Sequence, residues 1–210
     1  MQREVRMADQ KKQSSSIVKD AIVLFLITLI AGALLGAVYQ ITKEPIAASE
    51  LKAKEEAYQV VLADSKSFVE NEELNAKLKT SVFDGAEITE VLEAMDDQNQ
   101  QIGYVMSLTA KEGYGGDITF TIGVDLSGKM TGLSVLTHSE TAGLGANCTT
   151  QEFQSQFVGL QGPEIAYSKT GANGENEFDA ISGATITSKA LTKAINAGMK
   201  FLQDNGRIGE

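Results

Sequence analysis

Apolar and polar positions divide the chain into one long apolar run, a polar stretch, several alternating segments and a final helical stripe. From Ala21 to Ile41 nearly every residue is apolar and none is charged. At ~1.5 Å of rise per residue such a run crosses a hydrocarbon core of ~30 Å, which predicts a transmembrane helix over 21–41. Gly32 and Gly36 have the spacing that lets membrane helices approach closely, and Tyr39 stands where an interfacial aromatic belongs. Residues 1–20 are polar and mixed in charge and read as a disordered tail. A cleavable signal peptide is the rival reading, with Ile46-Ala47-Ala48 as a weak processing cue. Its apolar region would run only ~7–15 residues, so a retained anchor is preferred. Pro45 ends the membrane helix or starts the next element. Leu51, Tyr58, Val61 and Leu62 fit an amphipathic helix from about Ala47 to Ala63. The whole of 42–80 reads as a helical connector, ambiguous through Lys79.

Beyond Glu87 the period changes from helix to strand. Segments 88–94 and 102–108 flank the polar run Asp96-Asp97-Gln98-Asn99-Gln100 and predict a hairpin with a longer loop. In 117–125, Ile118, Phe120, Ile122 and Val124 alternate with small or polar residues, the signature of a strand with one buried face. Ser127-Gly128 supplies a turn, and Met130 to Thr137 returns as the partner strand. Leu191, Ile195 and Leu202, widened by Ala194 and Met199, then fall at helical spacing, and Asp204-Asn205-Gly206 stops that helix. The class predicted is α+β, an antiparallel sheet with packed helices over 81–210, following one transmembrane helix.

Composition narrows the chemistry. A formal net charge of -10 argues against nucleic acid, which requires a basic face. Cys148 is the only cysteine and His138 the only histidine, which excludes an intrachain disulfide, a cysteine-held iron–sulfur cluster and a multi-histidine metal site. A buried inert thiol is the preferred role of Cys148, and a loop hydrogen bond that of His138. No dinucleotide-binding glycine fingerprint is present.

Chemistry concentrates at 179–189, where small and hydroxyl-bearing residues precede the last helix. Ser182 or Thr185 can cap that helix. Gly183 permits close backbone approach, and free N–H groups at a helix start suit a phosphate. Thr185, Thr187 and Ser188 all carry hydroxyls, and chemistry alone does not choose among them. Lys189 and Lys193, in the first turns, are available to screen an anion. Two further loops accompany this stretch: Gly113-Tyr114-Gly115-Gly116-Asp117, and His138-Ser139-Glu140-Thr141-Ala142-Gly143-Leu144-Gly145.

Ser182-Gly183-Ala184-Thr185-Ile186-Thr187, with Asp179 upstream, resembles the flavinylation motif of FMN-binding domains. In that family a flavin transferase joins FMN through its phosphate to the last threonine, which by position is Thr187. The two glycine-bearing loops are similar to segments of the G subunits of Rnf ion-translocating electron transport complexes. The C subunits of sodium-pumping NADH:quinone oxidoreductases share the layout. The usual family proline after the threonine of the second loop is Ala142 here. The resemblance implies covalent FMN held by Thr187 with Ser182, Gly183, Ala184 and Thr185. It further implies that Glu140 and Thr141 hydrogen-bond the flavin, that Gly143, Leu144 and Gly145 pack near its ring, and that Tyr114 and Gly115 close the site.

What the resemblance implies functionally is one relay step between ferredoxin and NAD in an ion-translocating membrane complex. The other redox sites would then lie on partner subunits, and maturation would need a flavin transferase. The excess of Arg3, Arg6, Lys11, Lys12 and Lys19 before the apolar run, over Lys43, Lys52 and Lys54 after it, places the N-terminus in the cytoplasm and the domain outside. Two alternatives stay open: a flavinylated domain of another extracellular reductase or quinone oxidoreductase, and a non-redox anchored binding module whose hydroxyl-rich turn is only a cap.

Overall fold

The structure, a computed structural model, describes the backbone of residues 2–209 and the side chains of 19–209. It divides into two compact units, residues 1–51 and 52–210.

The first unit lies within α1, Gln2–Val61. Residues 2–20, expected to be disordered, continue this helix, and Pro45 lies inside it rather than at its end. Proline removes only one backbone donor, and the turns on either side keep theirs. The segment Lys19–Val61 contains an 18-residue window of mean hydropathy 2.7. Its apolar side chains from Ile22 to Ile41 are exposed. The Thr28 hydroxyl inside the run and that of Thr42 just past it are satisfied by the helix itself: Thr28 donates to the carbonyl of Leu24 at 3.0 Å and Thr42 to that of Val38 at 3.0 Å. That is how a polar group is tolerated in hydrocarbon.

In the second unit the polar stretch after α1 resolves into a strand β1, Ser67–Glu70, and a short helix α2, Glu72–Leu78. The expected hairpin is β2, Ala86–Met95, with β3, Gln101–Gly113. β4, Gly116–Asp125, and β5, Met130–Thr137, follow. All five pair antiparallel in sequence order. After a 3-10 turn, Gly145–Thr149, come α3, Gln151–Ser155, and two short parallel strands, β6, Ala166–Ser168, and β7, Glu177–Asp179. α4, Thr185–Asp204, closes the chain.

α4 packs on one face of the sheet. Leu191, Ile195 and Leu202 are fully buried with Met106, Leu108, Phe120 and Ile122 in a single core. Each such side chain contributes about 1.5–3 kcal/mol of burial. A register shift between Ile88 and Glu90 in β2 lets Ile88 and Val91 both reach this core, while Leu92 and Ala94 turn to the other face. There they meet Tyr58, Val61 and Leu62, the last turn of α1 and the residue after it. Gly123 and Gly132 face each other across β4 and β5. A Cβ on Gly123 would lie 2.4 Å from the Val61 carbonyl oxygen, and one on Gly132 2.9 Å from its Cα. Helix backbone therefore rests directly on sheet backbone, which only glycine permits.

Candidate functional site

The loops expected to meet do meet, at the start of α4. The first element is the tight β3–β4 turn, in which Gly116 takes φ +116, a conformation other residues rarely adopt. Against it runs the segment leaving β5. A Cβ on Gly115 would lie 2.1 Å from the Ser139 carbonyl oxygen, so the turn and the segment touch through backbone alone. That contact brings Glu140 under the turn, where its Oε1 accepts from the Gly115 N–H at 3.0 Å. The Glu140 N–H donates to Nδ1 of His138 at 3.1 Å, which gives the lone histidine the loop role expected of it.

The second carboxylate oxygen faces α4. Thr187 Oγ1 donates to Glu140 Oε2 at 2.7 Å. Both residues are buried, Thr187 at 0% and Glu140 at 8% exposure. Gly145 completes the enclosure, because a Cβ there would stand 2.1 Å from Glu140 Oε2 and 2.7 Å from Thr187 Oγ1. Cys148 belongs to the adjoining core. Burial and then the charge of Glu140 push its thiol up to about 11, so it stays protonated and inert at neutral pH.

The helix start differs from expectation. Neither Ser182 nor Thr185 caps α4: the cap position is Ala184, and no side chain accepts from the first turn. Inside the helix, Ser188 Oγ accepts from the Ile181 N–H at 2.9 Å and donates to the Ala184 carbonyl. It clamps the preceding turn, where Gly183 takes φ +73. The first backbone N–H to reach back within the helix is that of Ser188, to Ala184.

Above this start lies a cavity of about 460 Å³ lined by Tyr114, Glu140, Thr141, Leu144, Gly145, Gly183, Ala184, Thr185, Ile186 and Thr187. Its size lies within the ~300–1,000 Å³ of small-molecule sites. Of the twelve residues read from sequence, nine line it. Gly115 stands behind it as the donor to Glu140, Gly143 sits on the exposed loop, and Ser182 borders a separate hollow of about 440 Å³ with Asn147 and Asp179. Asp179 is held apart from the cavity, accepting from the Ala172 N–H at 2.6 Å. Ile186 was not among the twelve; its place in the motif was the available signal. Lys193 is occupied by Asp84 and Glu112, each at 2.9 Å, and neither it nor Lys189 lines the cavity.

This geometry suits FMN. The uncapped first turn offers N–H donors to a phosphate, Gly183 leaves the approach clear, and Leu144, Ile186 and Tyr114 give apolar surface for a flat ring. Comparison with known proteins agrees. Residues 113–200 match the FMN-binding domain family and residues 7–61 the RnfG N-terminal region. The G subunit of the proton-translocating ferredoxin:NAD(+) oxidoreductase complex of Clostridium ljungdahlii is 31% identical over 196 residues, 92% of this chain and 95% of that protein.

The chain belongs to the family of G subunits of Rnf-type ion-translocating oxidoreductase complexes.

Another member, the G subunit of the ion-translocating oxidoreductase complex of Methanosarcina acetivorans, is 32% identical over 193 residues, 90% of this chain and 96% of that protein. Among solved structures, the C subunit of the Na(+)-translocating NADH-quinone reductase of Parabacteroides distasonis has the same fold. Its TM-score is 0.52 at 24% identity, covering 71% of this chain and 80% of that one. For this member of the G-subunit family, the matched FMN-binding region thus contains the whole cavity lining.

Proposed function

We propose that the chain is the flavin-bearing electron-transfer subunit of an ion-translocating ferredoxin:NAD oxidoreductase, with FMN esterified through its phosphate to Thr187. The observation that carries this reading is the Thr187 hydroxyl, which borders an FMN-sized cavity at a helix start that no side chain caps. A phosphodiester on Thr187 lies beside those free donors and the positive end of the helix dipole. Bound FMN supplies one- or two-electron transfer between partner subunits. The protein's part is attachment, orientation through Glu140, Thr141 and Leu144, and exclusion of water.

Thr187 is buried yet lines the cavity, so attachment takes place from the cavity side. A flavin transferase performs that reaction. The helix over 21–41 anchors the chain, and the lysine and arginine excess on its N-terminal side puts the FMN-binding domain outside the cytoplasm. A covalent bond keeps the cofactor where no flavin pool replaces it.

The test is in-gel flavin fluorescence after full denaturation, with wild type and Thr187→Ala each co-expressed with an active transferase. Fluorescence in the first and none in the second is expected. Colourless wild-type protein would sink the redox reading and leave an anchored binding module.

A further inference from the structure

Esterification of a threonine needs somewhere for its proton to go, and the structure holds one acceptor at that oxygen. Glu140 Oε2 accepts from Thr187 Oγ1 at 2.7 Å, inside the ~2.6–3.2 Å reach of a general base. The carboxylate is fixed for this task. Its other oxygen is held by the Gly115 N–H, and its own N–H is anchored on His138. Gly145 lets the two side chains touch, since any Cβ there would overlap Glu140 Oε2. Of the other residues lining the cavity only Tyr114 is titratable, and it is 70% exposed. Lys193 is tied to Asp84 and Glu112 and Lys111 to Glu87 and Asp117, and Lys189 does not line the cavity.

We propose that Glu140 is a catalytic residue of flavin attachment: this chain, rather than the transferase alone, supplies the base that activates Thr187. The inference rests on Thr187 being the acceptor. With a flavin dinucleotide as donor, Thr187 Oγ1 attacks the flavin-side phosphorus and a new P–O bond forms. The P–O bond to the nucleotide breaks, and its electron pair leaves with the nucleoside monophosphate. The hydroxyl proton passes to Glu140 Oε2, and nothing is oxidised or reduced. A general base of this kind is worth about 10²–10⁴ in rate.

The experiment is single-turnover attachment with purified apo chain, excess transferase and flavin adenine dinucleotide, read as covalent flavin per chain against time. Glu140→Gln keeps the shape and loses the base, whereas Glu140→Asp keeps a carboxylate on a shorter arm. The expected result is a Gln variant slower than wild type by about 10²–10⁴-fold, and slower than the Asp variant. A role in packing alone reverses that order. A Gln variant within threefold of wild type, or faster than Asp, overturns the proposal. Each variant is compared by its cooperative unfolding transition. Should Gln fail to fold, the rate–pH profile of Glu140→Asp decides: an acid limb displaced from that of wild type upholds this carboxylate as the base, and superimposable limbs overturn it. Thr187→Ala separates the two levels, because full labelling of that variant refutes the acceptor, whatever Glu140 does.

Discussion

α2 and α4 begin in opposite ways. α2 starts on Asn71, whose Oδ1 accepts from the Leu74 N–H at 2.8 Å, a side-chain cap of the ordinary kind. α4 carries three hydroxyls in its first four residues, Thr185, Thr187 and Ser188, yet begins on Ala184 with no cap. Its far end is finished with care: Asn205 Nδ2 donates to the Phe201 carbonyl at 2.8 Å, and Gly206 takes φ +64. The offered caps, Ser182 and Thr185, miss the cap position, and the hydroxyls further in are engaged otherwise, Ser188 on the preceding turn and Thr187 on Glu140. An uncapped start costs about 0.5–2 kcal/mol relative to a capped one. On the proposed reading, a phosphate bound at the α4 start offsets that cost.

Four substitutions sharpen or break this contrast. The largest effect belongs to Gly145→Ala, whose new methyl would sit 2.1 Å from Glu140 Oε2. We expect unfolding free energy to fall by about 1–3 kcal/mol and covalent flavin per chain to fall with it, read by denaturant titration and fluorescence. Asn71→Ala should cost about 0.5–2 kcal/mol and leave flavin content untouched, since α2 has no part in the cavity. Equal losses of flavin in both variants would mean that loading only reports stability.

Ala184→Asp places a negative charge where the phosphate is expected. An anion at a helix start is worth about 0.3–1 kcal/mol, so the apo chain should hold its melting temperature while initial flavin attachment slows severalfold. Smallest is an alkaline effect at Cys148. Its folded pKa is raised to about 11 from ~8.5 unfolded. The stability this shift contributes is complete below the unfolded value and is lost as pH rises toward the folded one. Between pH 8 and 11 wild type should therefore lose more stability than Cys148→Ala, as followed by thermal melts. Parallel curves would remove the thiol from its buried setting.

Much of the domain was legible because its strands alternate. β5 is found at Met130–Thr137 as read, and β4 starts one residue earlier. β1 was not legible: four residues, mostly exposed, give no period, and only pairing with β2 makes them a strand. α1 runs through Pro45 although the residue predicts a boundary, because propensity at one position yields to the turns around it. The three loops named from their residues come together around one cavity. The helix cap was not legible: α4 starts so that Ala184 holds the cap position, Thr185 falls inside the helix and Ser182 two residues before the cap. Ser182 was assigned to the cavity by its place in the motif, and the positive φ of Gly183 turns it toward the neighbouring hollow instead.

The most direct test of the account is tandem mass spectrometry of the tryptic peptide 170–189 from wild-type chain matured with the transferase. That peptide carries Thr185, Thr187 and Ser188 together. The account predicts a gain of one FMN less one water, with fragment ions placing it on Thr187. The same gain on Thr185 or Ser188, or an unmodified peptide from a flavin-replete preparation, would contradict it.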